Sequence, residues 1–265
     1  MREAKTLETL VSALGQNPAL LAERMNLQSA AILINQGEKN EYLEYVHRGF
    51  PIRAYSFAER GVGLSRNNAL LRGKADILLF SDEDIVYEEG YADRVLEAFR
   101  ERPEADLLLF NMEVEADRAT YHTLKEHRVR FYNSGRYPTY SFAVRRESLH
   151  KANVTFSLLF GGGAPYSNGE DSLFLMDCLK KKLKIYALPI NLGKEVPRPS
   201  TWFKGYTEKF FFDRGVLYFF LYGKLRHLMA LRFLLVHGKT MCSRISLKEA
   251  YGLMCKGMKE AGNGV

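Results

Sequence analysis

The sequence predicts an α/β fold in which a doubly wound, mostly parallel sheet carries helices on both faces and is followed by a C-terminal helical extension. Three observations lead to this prediction. Short apolar runs bounded by polar turns alternate with stretches of helical character, which is the sequence form of repeated βαβ units. The 265-residue chain is 46% hydrophobic, so it can bury a sizeable core. Acidic residues directly follow one apolar run, at the kind of edge where parallel sheets bind ligands.

Strands are predicted in the first half of the chain at residues 9–14, 31–35, 52–57, 76–81 and 107–113. The first helix follows Asn17-Pro18, which offers an N-cap residue and a proline at the first helical position. A second helix is expected to begin at Ser65 or Arg66, and a third to end before Pro103. The second half predicts a strand running into a short helix, then a glycine-rich loop, a helix and a further strand.

After Trp202 the composition becomes aromatic and basic, so we predict a main domain at 1–202 and a helical extension at 203–265. Within the extension, the segment 210–238 is strongly apolar, but its longest uncharged run is far shorter than the ~20 residues of a membrane-spanning helix. Two alternatives remain open for this segment. It forms either a helix pair packed on the main domain or a peripheral element at a membrane surface.

The formal charge of +7 favours contact with phosphates, nucleic acid or an anionic membrane surface. Nucleic-acid binding would account for the charge but not for the placement of the acids, so we expect no nucleic-acid partner. The three cysteines lack C-x-x-C spacing, which argues against a disulfide framework or a zinc site. With no apolar signal sequence at the N-terminus, a cytoplasmic location is expected, with peripheral contact at the inner face of the membrane through 210–238 if that segment binds lipid.

The stretch "DILLFSDEDIVY" runs from four apolar residues straight into Asp82, Glu83 and Asp84. Two aspartates separated by one residue on an extended strand point the same way, and their hard oxygen atoms suit Mg²⁺ or Mn²⁺. The alternative is that these acids cap the helix that follows. The acidic turn alone does not decide between a metal site and a helix cap.

Two further stretches carry polar groups at helix starts. "ERGVGLSRNNALLRGKAD" is a glycine-containing turn entering a helix, and "NGEDSLFLMDCL" puts Glu170 and Asp171 at the start of a helix beyond a glycine loop. Each has an ordinary structural explanation, because glycines serve turn geometry and acids favour the first turn of a helix. It is their combination with the acidic turn that indicates a catalytic site.

Taken in order, "GVGLSRNNAL", "LLFSDEDIVY", "GEDSLF" and "STWFKGY" resemble the inverting glycosyltransferases of family 2, which adopt the GT-A fold. The resemblance runs from about residue 7 to residue 215. It implies a GT-A-like sheet, a nucleotide-sugar donor and Mn²⁺ or Mg²⁺. "STWFKGY" looks like the short form found in enzymes that add one sugar, which implies a single transfer to a sugar or lipid-linked acceptor.

The resemblance also implies roles for the acids. Asp82 would lie near the ribose and Asp84 on the metal that bridges the diphosphate, while Glu83 could replace either of them. Asp171 would be the general base that takes the proton of the acceptor hydroxyl. Glu170 and Trp202 would lie on the acceptor side.

On the nucleotide side, the resemblance places Arg66 beside the base. Ser12 is the nearest match to a threonine-containing turn after the first strand. Asn35 and Gln36 stand where the family has an Asp-Asp pair that contacts the base. An amide can still hydrogen-bond a base edge, so these residues are expected to bind the nucleotide, with UDP as the expected nucleoside diphosphate.

The function implied is an inverting hexosyltransferase acting in bacterial surface polysaccharide or glycolipid synthesis. One rival is a nucleotidyltransferase that makes sugar nucleotides, but "SALGQNPAL" lacks the glycine-rich, lysine-bearing turn usual after the first strand of such enzymes. The other rival is a non-catalytic sugar-nucleotide-binding subunit. Asn35 and Gln36 allow that reading, and Asp82, Asp84 and Asp171 weigh against it.

Overall fold

A computed structural model describes residues 6–116, 119–197 and 205–264 of the chain. The strands in these ranges are β1 (Leu7–Leu14), β2 (Ala30–Gln36), β3 (Glu41–His47), β4 (Phe50–Phe57), β5 (Ile77–Asp82), β6 (Ile85–Tyr87), β7 (Leu107–Glu113), β8 (His127–Arg128), β9 (Phe142–Arg145) and β10 (Ile185–Glu195). The α-helices are α1 (Pro18–Arg24), α2 (Val62–Arg72), α3 (Tyr91–Glu101), α4 (Arg146–Ala152), α5 (Glu170–Lys180), α6 (Glu208–Tyr222), α7 (Arg226–Met241) and α8 (Leu247–Gly262).

The strands form one mixed sheet in the order β3-β4-β2-β1-β5-β9-β7-β10-β6, with β8 paired to β10. Strands β4, β2, β1 and β5 are parallel neighbours, and β10 is parallel to β7. Strand β9 is antiparallel to both of its neighbours, β5 and β7. At the two edges, β3 is antiparallel to β4 and β6 is antiparallel to β10. The predicted mostly parallel α/β sheet is therefore confirmed.

Both faces of the central strands are buried, which explains why β2, β5 and β7 read as nearly continuous apolar runs. Along β1, Val11 belongs to the core on one face of the sheet and Leu10 to the core on the other. Alternating side chains of a strand point to opposite faces, so a strand covered by helices on both sides has no polar side. The five predicted strands lie within two residues of β1, β2, β4, β5 and β7 at each end.

Local capping explains where the helices begin. The Asn17 side chain accepts a hydrogen bond from the amide of Ala19, and Pro18 is the first helical residue, as predicted. Helix α2 begins at Val62, three residues before the earlier of the two predicted starts, because Gly61 adopts a φ of 132° and so ends the extended chain there. Helix α3 ends at Glu101, just before Pro103.

The segment 210–238 forms most of α6 and α7, and α8 packs against both. Their apolar side chains share a core with Phe160, Leu173 and Met176, which precede them in the chain. The predicted boundary at Trp202 lies outside the described residues, so the division into 1–202 and 203–265 stays a prediction. Among the helices of the described chain, none is both long and apolar enough to cross a membrane.

Two glycines set the contact between α6 and α8. A Cβ atom on Gly215 would lie 2.1 Å from the carbonyl oxygen of Met254, and one on Gly257 would lie 2.1 Å from that of Phe212. Each glycine therefore meets the backbone of the opposite helix directly. Backbone atoms cannot rotate away as a flexible side chain does, so any larger residue must force the helices apart.

We expect Gly257→Ala to destabilise the protein by about 1–3 kcal/mol, because the added methyl group overpacks the contact between α6 and α8. Gly252→Ala is the matched control on the same helix, since a Cβ atom there meets nothing within 4 Å. The control should be neutral or stabilising by up to about 1 kcal/mol, because alanine favours helix. Urea unfolding measures both changes, and equal stability of the two variants would contradict the packing assignment.

Candidate active site

The acidic turn lies where β5 ends beside β1. Asp82 is the last residue of β5 and stands in register with Ser12 of β1. β6 begins at Ile85, so the turn joins two strands, and α3 starts later, after Gly90. The acids therefore do not cap a helix, and the capping alternative is wrong.

The three acids of the turn have different surroundings. The buried carboxylate of Glu83 accepts a hydrogen bond from the amide of Leu14 at 2.7 Å, so Glu83 fastens the turn to the end of β1. Asp84 is half-buried, and its carbonyl oxygen accepts a hydrogen bond from the amide of Val196 just after β10. Asp82 keeps a quarter of its side chain exposed. The resemblance lets Glu83 stand in for either aspartate, but its bond to β1 favours Asp82 and Asp84 for ligand contact.

Arg66 gathers three carboxylates that are distant in sequence. Its guanidinium lies 3.2 Å from Asp82, 3.0 Å from Glu170 and 3.0 Å from Asp171. The Arg66 side chain is only 6% exposed, so it is a buried cation. One positive charge faces three negative ones, which leaves an excess of two negative charges when all are ionised. The resemblance assigns Arg66 to the nucleotide base, whereas the structure engages its guanidinium with the acids.

Helix α2 is fixed in the place that Arg66 requires. The Asn67 side chain donates to the carbonyl oxygen of Phe156 and accepts from its amide, at 2.9 and 2.8 Å. A Cβ atom on Gly63 would lie 2.3 Å from the carbonyl oxygen of Ser157, so only glycine permits this approach. The Phe156 ring lies 5.5 Å from the Arg66 guanidinium and stacks on Phe174. The cation thus rests on a packed aromatic surface.

Glu170 and Asp171 open α5, as predicted. The helix begins after Gly169, which has a φ of 124° and whose amide donates to the Glu170 carboxylate at 3.1 Å. Gly161 of the glycine loop makes room for that carboxylate, because a Cβ atom there would lie 2.8 Å from its carbon and 2.5 Å from Val62. The loop is therefore shaped by close packing against α2 and α5.

The electrostatic setting of Asp171 suits proton transfer. Burial and the neighbouring Glu170 raise the pKa of Asp171 to about 7, against the opposing effects of Arg66 and of a hydrogen bond donated by the Thr139 hydroxyl. Burial works against the charge of Arg66, but Asp82, Asp171 and Glu170 together raise its pKa above the ordinary value. Arg66 stays charged, and Asp171 is poised to gain or lose a proton near neutral pH.

Two residues beside Asp171 carry no recognisable sequence signal. Thr139 and Tyr140 lie in the short helical turn Thr139–Ser141 that precedes β9. Burial, and next the nearby Glu195, raise the pKa of the Tyr140 hydroxyl, which lies 3.5 Å from the Glu195 carboxylate. A threonine or tyrosine in "YPTYSF" is indistinguishable from an ordinary loop residue, and only the fold brings it to the acids.

The residues predicted to bind the nucleotide lie around the same edge of the sheet and hold its loops. Ser12 accepts a hydrogen bond from the Ser65 hydroxyl at 3.1 Å. Asn35 pairs through both amide atoms with the backbone of Gln16, and Gln36 accepts from the amide of Gly61 at 2.7 Å. These bonds tie β1, β2 and α2 together. Trp202, predicted on the acceptor side, lies outside the described residues.

The acids at the turn fit a divalent cation that shares its coordination with a ligand. Among the described residues there is no group of three or more histidine, cysteine or acidic side chains arranged to hold a metal alone. Mg²⁺ and Mn²⁺ characteristically use one or two carboxylates together with substrate phosphates and water. Asp82 and Asp84 supply that number of carboxylates, and the negative excess around Arg66 favours a cation.

No protein-family model matches the chain, and no curated protein matches it. Several solved structures share its fold. TarS 1-349 of S. aureus in complex with UDP-GlcNAc gives a TM-score of 0.66 at 13% identity, covering 97% of this chain and 81% of that one. The same protein with UDP gives 0.61 at 14% identity, covering 97% and 82%. A mannosyltransferase from Pyrobaculum calidifontis with GDP-Man and Mn²⁺ gives 0.50 at 11% identity, covering 97% and 75%.

These similarities show the fold, which is the GT-A-like α/β fold that the sequence motifs imply. They do not specify family 2, so that finer assignment stays a prediction. The similarity extends over nearly the whole chain, and therefore includes the helices after residue 205 as well as the sheet.

We expect Asp171→Asn to raise the thermal stability of the unliganded protein at pH 8 by about 3–6 °C. The folded-state pKa of Asp171 is about 7, above its ordinary value of 3.8, so ionising Asp171 costs folding free energy. That cost is fully present above pH 7 and falls as the pH drops toward 3.8. Asparagine cannot ionise, so the gain should shrink at pH 5.

Asp177→Asn is the control, because Asp177 lies on the same helix but is exposed and pairs with Lys180. Melting curves at pH 8 and pH 5 give the comparison. The prediction would be contradicted if Asp171→Asn gained the same stability at both pH values, or if Asp177→Asn gained as much. Either result would mean that ionisation of Asp171 does not lower the stability of the folded protein.

Proposed function

We propose that this protein is an inverting glycosyltransferase that moves one sugar from a nucleotide-sugar to an acceptor hydroxyl. The proposal rests on one observation. Asp82 at the end of β5 and Asp171 at the start of α5 both form ion pairs with the buried guanidinium of Arg66. Ligands of open α/β sheets bind beyond the carboxyl ends of the strands, which is where these acids lie. A GT-A-like fold with such a pair supports nucleotide-sugar chemistry.

The solved relatives of the fold support the donor class. TarS has been solved with UDP-GlcNAc and the Pyrobaculum calidifontis mannosyltransferase with GDP-Man, so those two proteins bind nucleotide-sugars with different bases. We take a UDP-sugar as the donor here. Ser12, Asn35 and Gln36 line the edge of the sheet on the nucleotide side, and they act by shaping the loops that would meet the base.

Asp171 is the general base of the proposed reaction. It takes the proton of the acceptor hydroxyl as that oxygen attacks the anomeric carbon and the bond from carbon to the diphosphate oxygen breaks, which inverts the anomeric configuration. A pKa of about 7 makes Asp171 a stronger base than an ordinary aspartate while leaving it largely ionised at slightly alkaline pH. Arg66 and Thr139 hold the carboxylate in one orientation.

The diphosphate would lie at the acidic turn. Asp84 would hold Mn²⁺ or Mg²⁺, which when bound supplies positive charge to the departing nucleoside diphosphate, and Asp82 would lie near the ribose. Arg66 alone does not balance the three carboxylates around it, and a dianionic ligand beside them would be repelled without a further cation. The Mn²⁺ in the mannosyltransferase structure supports this choice of ion.

For the acceptor we propose a sugar or a lipid-linked sugar in bacterial surface polysaccharide or glycolipid synthesis, made at the cytoplasmic face of the membrane. The basic, aromatic extension that packs beside α5 supports this assignment. Glu170 is placed by Gly169 and Arg66 at the start of the same helix as the base, and we assign it to shaping the acceptor side.

A panel of nucleoside diphosphates and their sugars tests the donor by thermal shift. With Mn²⁺, a UDP-sugar at about 100 times its dissociation constant should stabilise the protein by about 2.7 kcal/mol. We expect much smaller shifts without metal and for free nucleoside triphosphates. A nucleotidyltransferase would respond to a triphosphate together with a sugar phosphate, and that result would replace the proposal. Absence of any shift across the panel would remove its support.

Asp171→Asn should lower sugar transfer, and the slow hydrolysis of the donor, by about 10² to 10⁴-fold. Donor binding in the thermal-shift panel should persist, because Asp171 acts on the acceptor side. Asp177→Asn on the same helix should retain full activity. Near-normal turnover by pure Asp171→Asn protein would discard the assignment of the base, and an inactive native protein that binds donor would indicate the non-catalytic subunit.

A further inference from the structure

Helix α7 has an outer face that is unlike the outer face of an ordinary surface helix. Leu228, Leu231 and Leu235 follow each other at intervals of three and four residues, so they form one stripe along the helix. They are 63%, 46% and 80% exposed. A helix packed on a soluble domain normally keeps its apolar residues for the core and presents polar ones outward.

The inner face of α7 already meets the core. Ala230, Phe233 and Leu234 are buried in the cluster that α7 shares with α6 and α8. The outer leucines are therefore a second apolar face. The neighbouring α8 shows the contrast, because its exposed positions include Lys248, Glu249, Lys256, Lys259 and Glu260.

Cations are interleaved with the exposed leucines. Arg232 and Lys239 are exposed and lie four residues after Leu228 and Leu235, which places them on the same side of the helix. Lys224, just before α7, is exposed as well. We call the surface made by Leu228, Leu231, Leu235 and these three cations the leucine-basic face.

The segment of the chain that contains α7 carries a local excess of positive charge. Residues 214–248 contain seven lysines and arginines and no aspartate or glutamate. The chain has 38 basic and 31 acidic residues in all, a formal excess of seven. The excess is therefore equal to the charge of this segment, and the rest of the chain is balanced. The basic character of the protein is a local property of the α7 region.

We propose that the leucine-basic face of α7 docks the protein onto an anionic lipid bilayer, with the helix lying in the plane of the interface. A bilayer surface satisfies both chemical features, because leucines enter the boundary between headgroups and acyl chains while cations contact lipid phosphates. This inference is independent of the proposed transferase activity. It specifies α7, rather than the whole of 210–238, as the contacting element.

Other occupants fit the face less well. A two-fold contact with a second copy would bring the cations of both copies, including Arg232 and Lys239, into one interface with no acid on the face to offset them. Nucleic acid would satisfy the cations but would leave the leucines in water. The bilayer is the surface whose charge and apolar depth match both sets of side chains.

The orientation of α7 links the face to the site. Phe233 on the inner side of α7 packs edge-on against Tyr218 of α6, and Leu217 of α6 occupies the space beside Gly169 at the start of α5. α5 carries Asp171. A bilayer contact at α7 is thus joined to the acidic site through the single layer of α6.

Co-sedimentation of the full-length protein with vesicles tests the proposal, without any donor or acceptor present. The probes are vesicles of equimolar phosphatidylcholine and phosphatidylglycerol, with pure phosphatidylcholine vesicles for comparison. We expect binding to the anionic vesicles that weakens as salt is added, and much weaker binding to the neutral ones. Salt-independent binding of equal strength to both would overturn the electrostatic part of the proposal.

Two double variants separate the contribution of the cations to vesicle binding from that of the leucines. Arg232→Gln/Lys239→Gln should weaken partition into anionic vesicles by about 30-fold at low salt, since each cation near such a surface contributes about a factor of five. Leu228→Gln/Leu235→Gln should weaken it by at least about tenfold, because both side chains lose their apolar burial. Melting curves confirm that each variant is folded, as expected for exposed positions.

Each pair has a control made of exposed residues of the same kind elsewhere in the chain. Lys151→Gln/Lys180→Gln removes two exposed cations, and Leu20→Gln/Leu124→Gln removes leucines that are 65% and 84% exposed. Both controls should bind vesicles as the native chain does. Equal loss in test and control pairs would overturn the proposal. So would binding that depends on the cations alone, or a concentration-dependent dimer in solution that Leu228→Gln/Leu235→Gln abolishes.

Discussion

The buried guanidinium of Arg66 is the interaction on which the arrangement of the site depends. A cation held at 6% exposure needs carboxylate partners, and Asp82, Glu170 and Asp171 approach it from β5 and α5. Removing the cation would leave three carboxylates side by side, and removing the carboxylates would leave a buried charge unpaired. The ion cluster therefore couples the edge of the sheet to the start of α5, although neither segment is near the other in sequence.

The cluster also explains why the surrounding backbone is so tightly constrained. Gly63 and Gly161 stand at positions where a side chain would strike the backbone near Phe156 or the Glu170 carboxylate. Asn67 bonds both backbone groups of Phe156, whose ring supports Arg66. Rigid packing of this kind holds the charged groups in one geometry. The burial that comes with it makes ionisation of Asp171 less favourable, as the raised pKa of that residue indicates.

The C-terminal helices continue this close packing outward from the site. α6 lies against the start of α5 and against α7 and α8, and the close backbone contacts at Gly215 and Gly257 leave no room for a side chain between α6 and α8. α7 is the outermost of these layers. Its inner side completes the core, and its outer side is both apolar and cationic, so α7 presents a surface separate from the acidic site.

The sequence by itself determined the class of the fold and which acidic residues are candidates for the site. Two-sided burial makes β2, β5 and β7 nearly continuous apolar runs, and the motif "SDED" stands out because its acids directly follow such a run, whereas "GED" is informative only in combination with it. β3 leaves no comparable pattern because it is an edge strand with mostly exposed residues, and β6 leaves none because it is only three residues long. Only tertiary structure decided that Arg66 meets the acids, that Glu83 bonds to β1, and that Thr139 reaches Asp171. These contacts join segments far apart in the chain, and local propensity and periodicity carry no record of which distant side chain fills a given space.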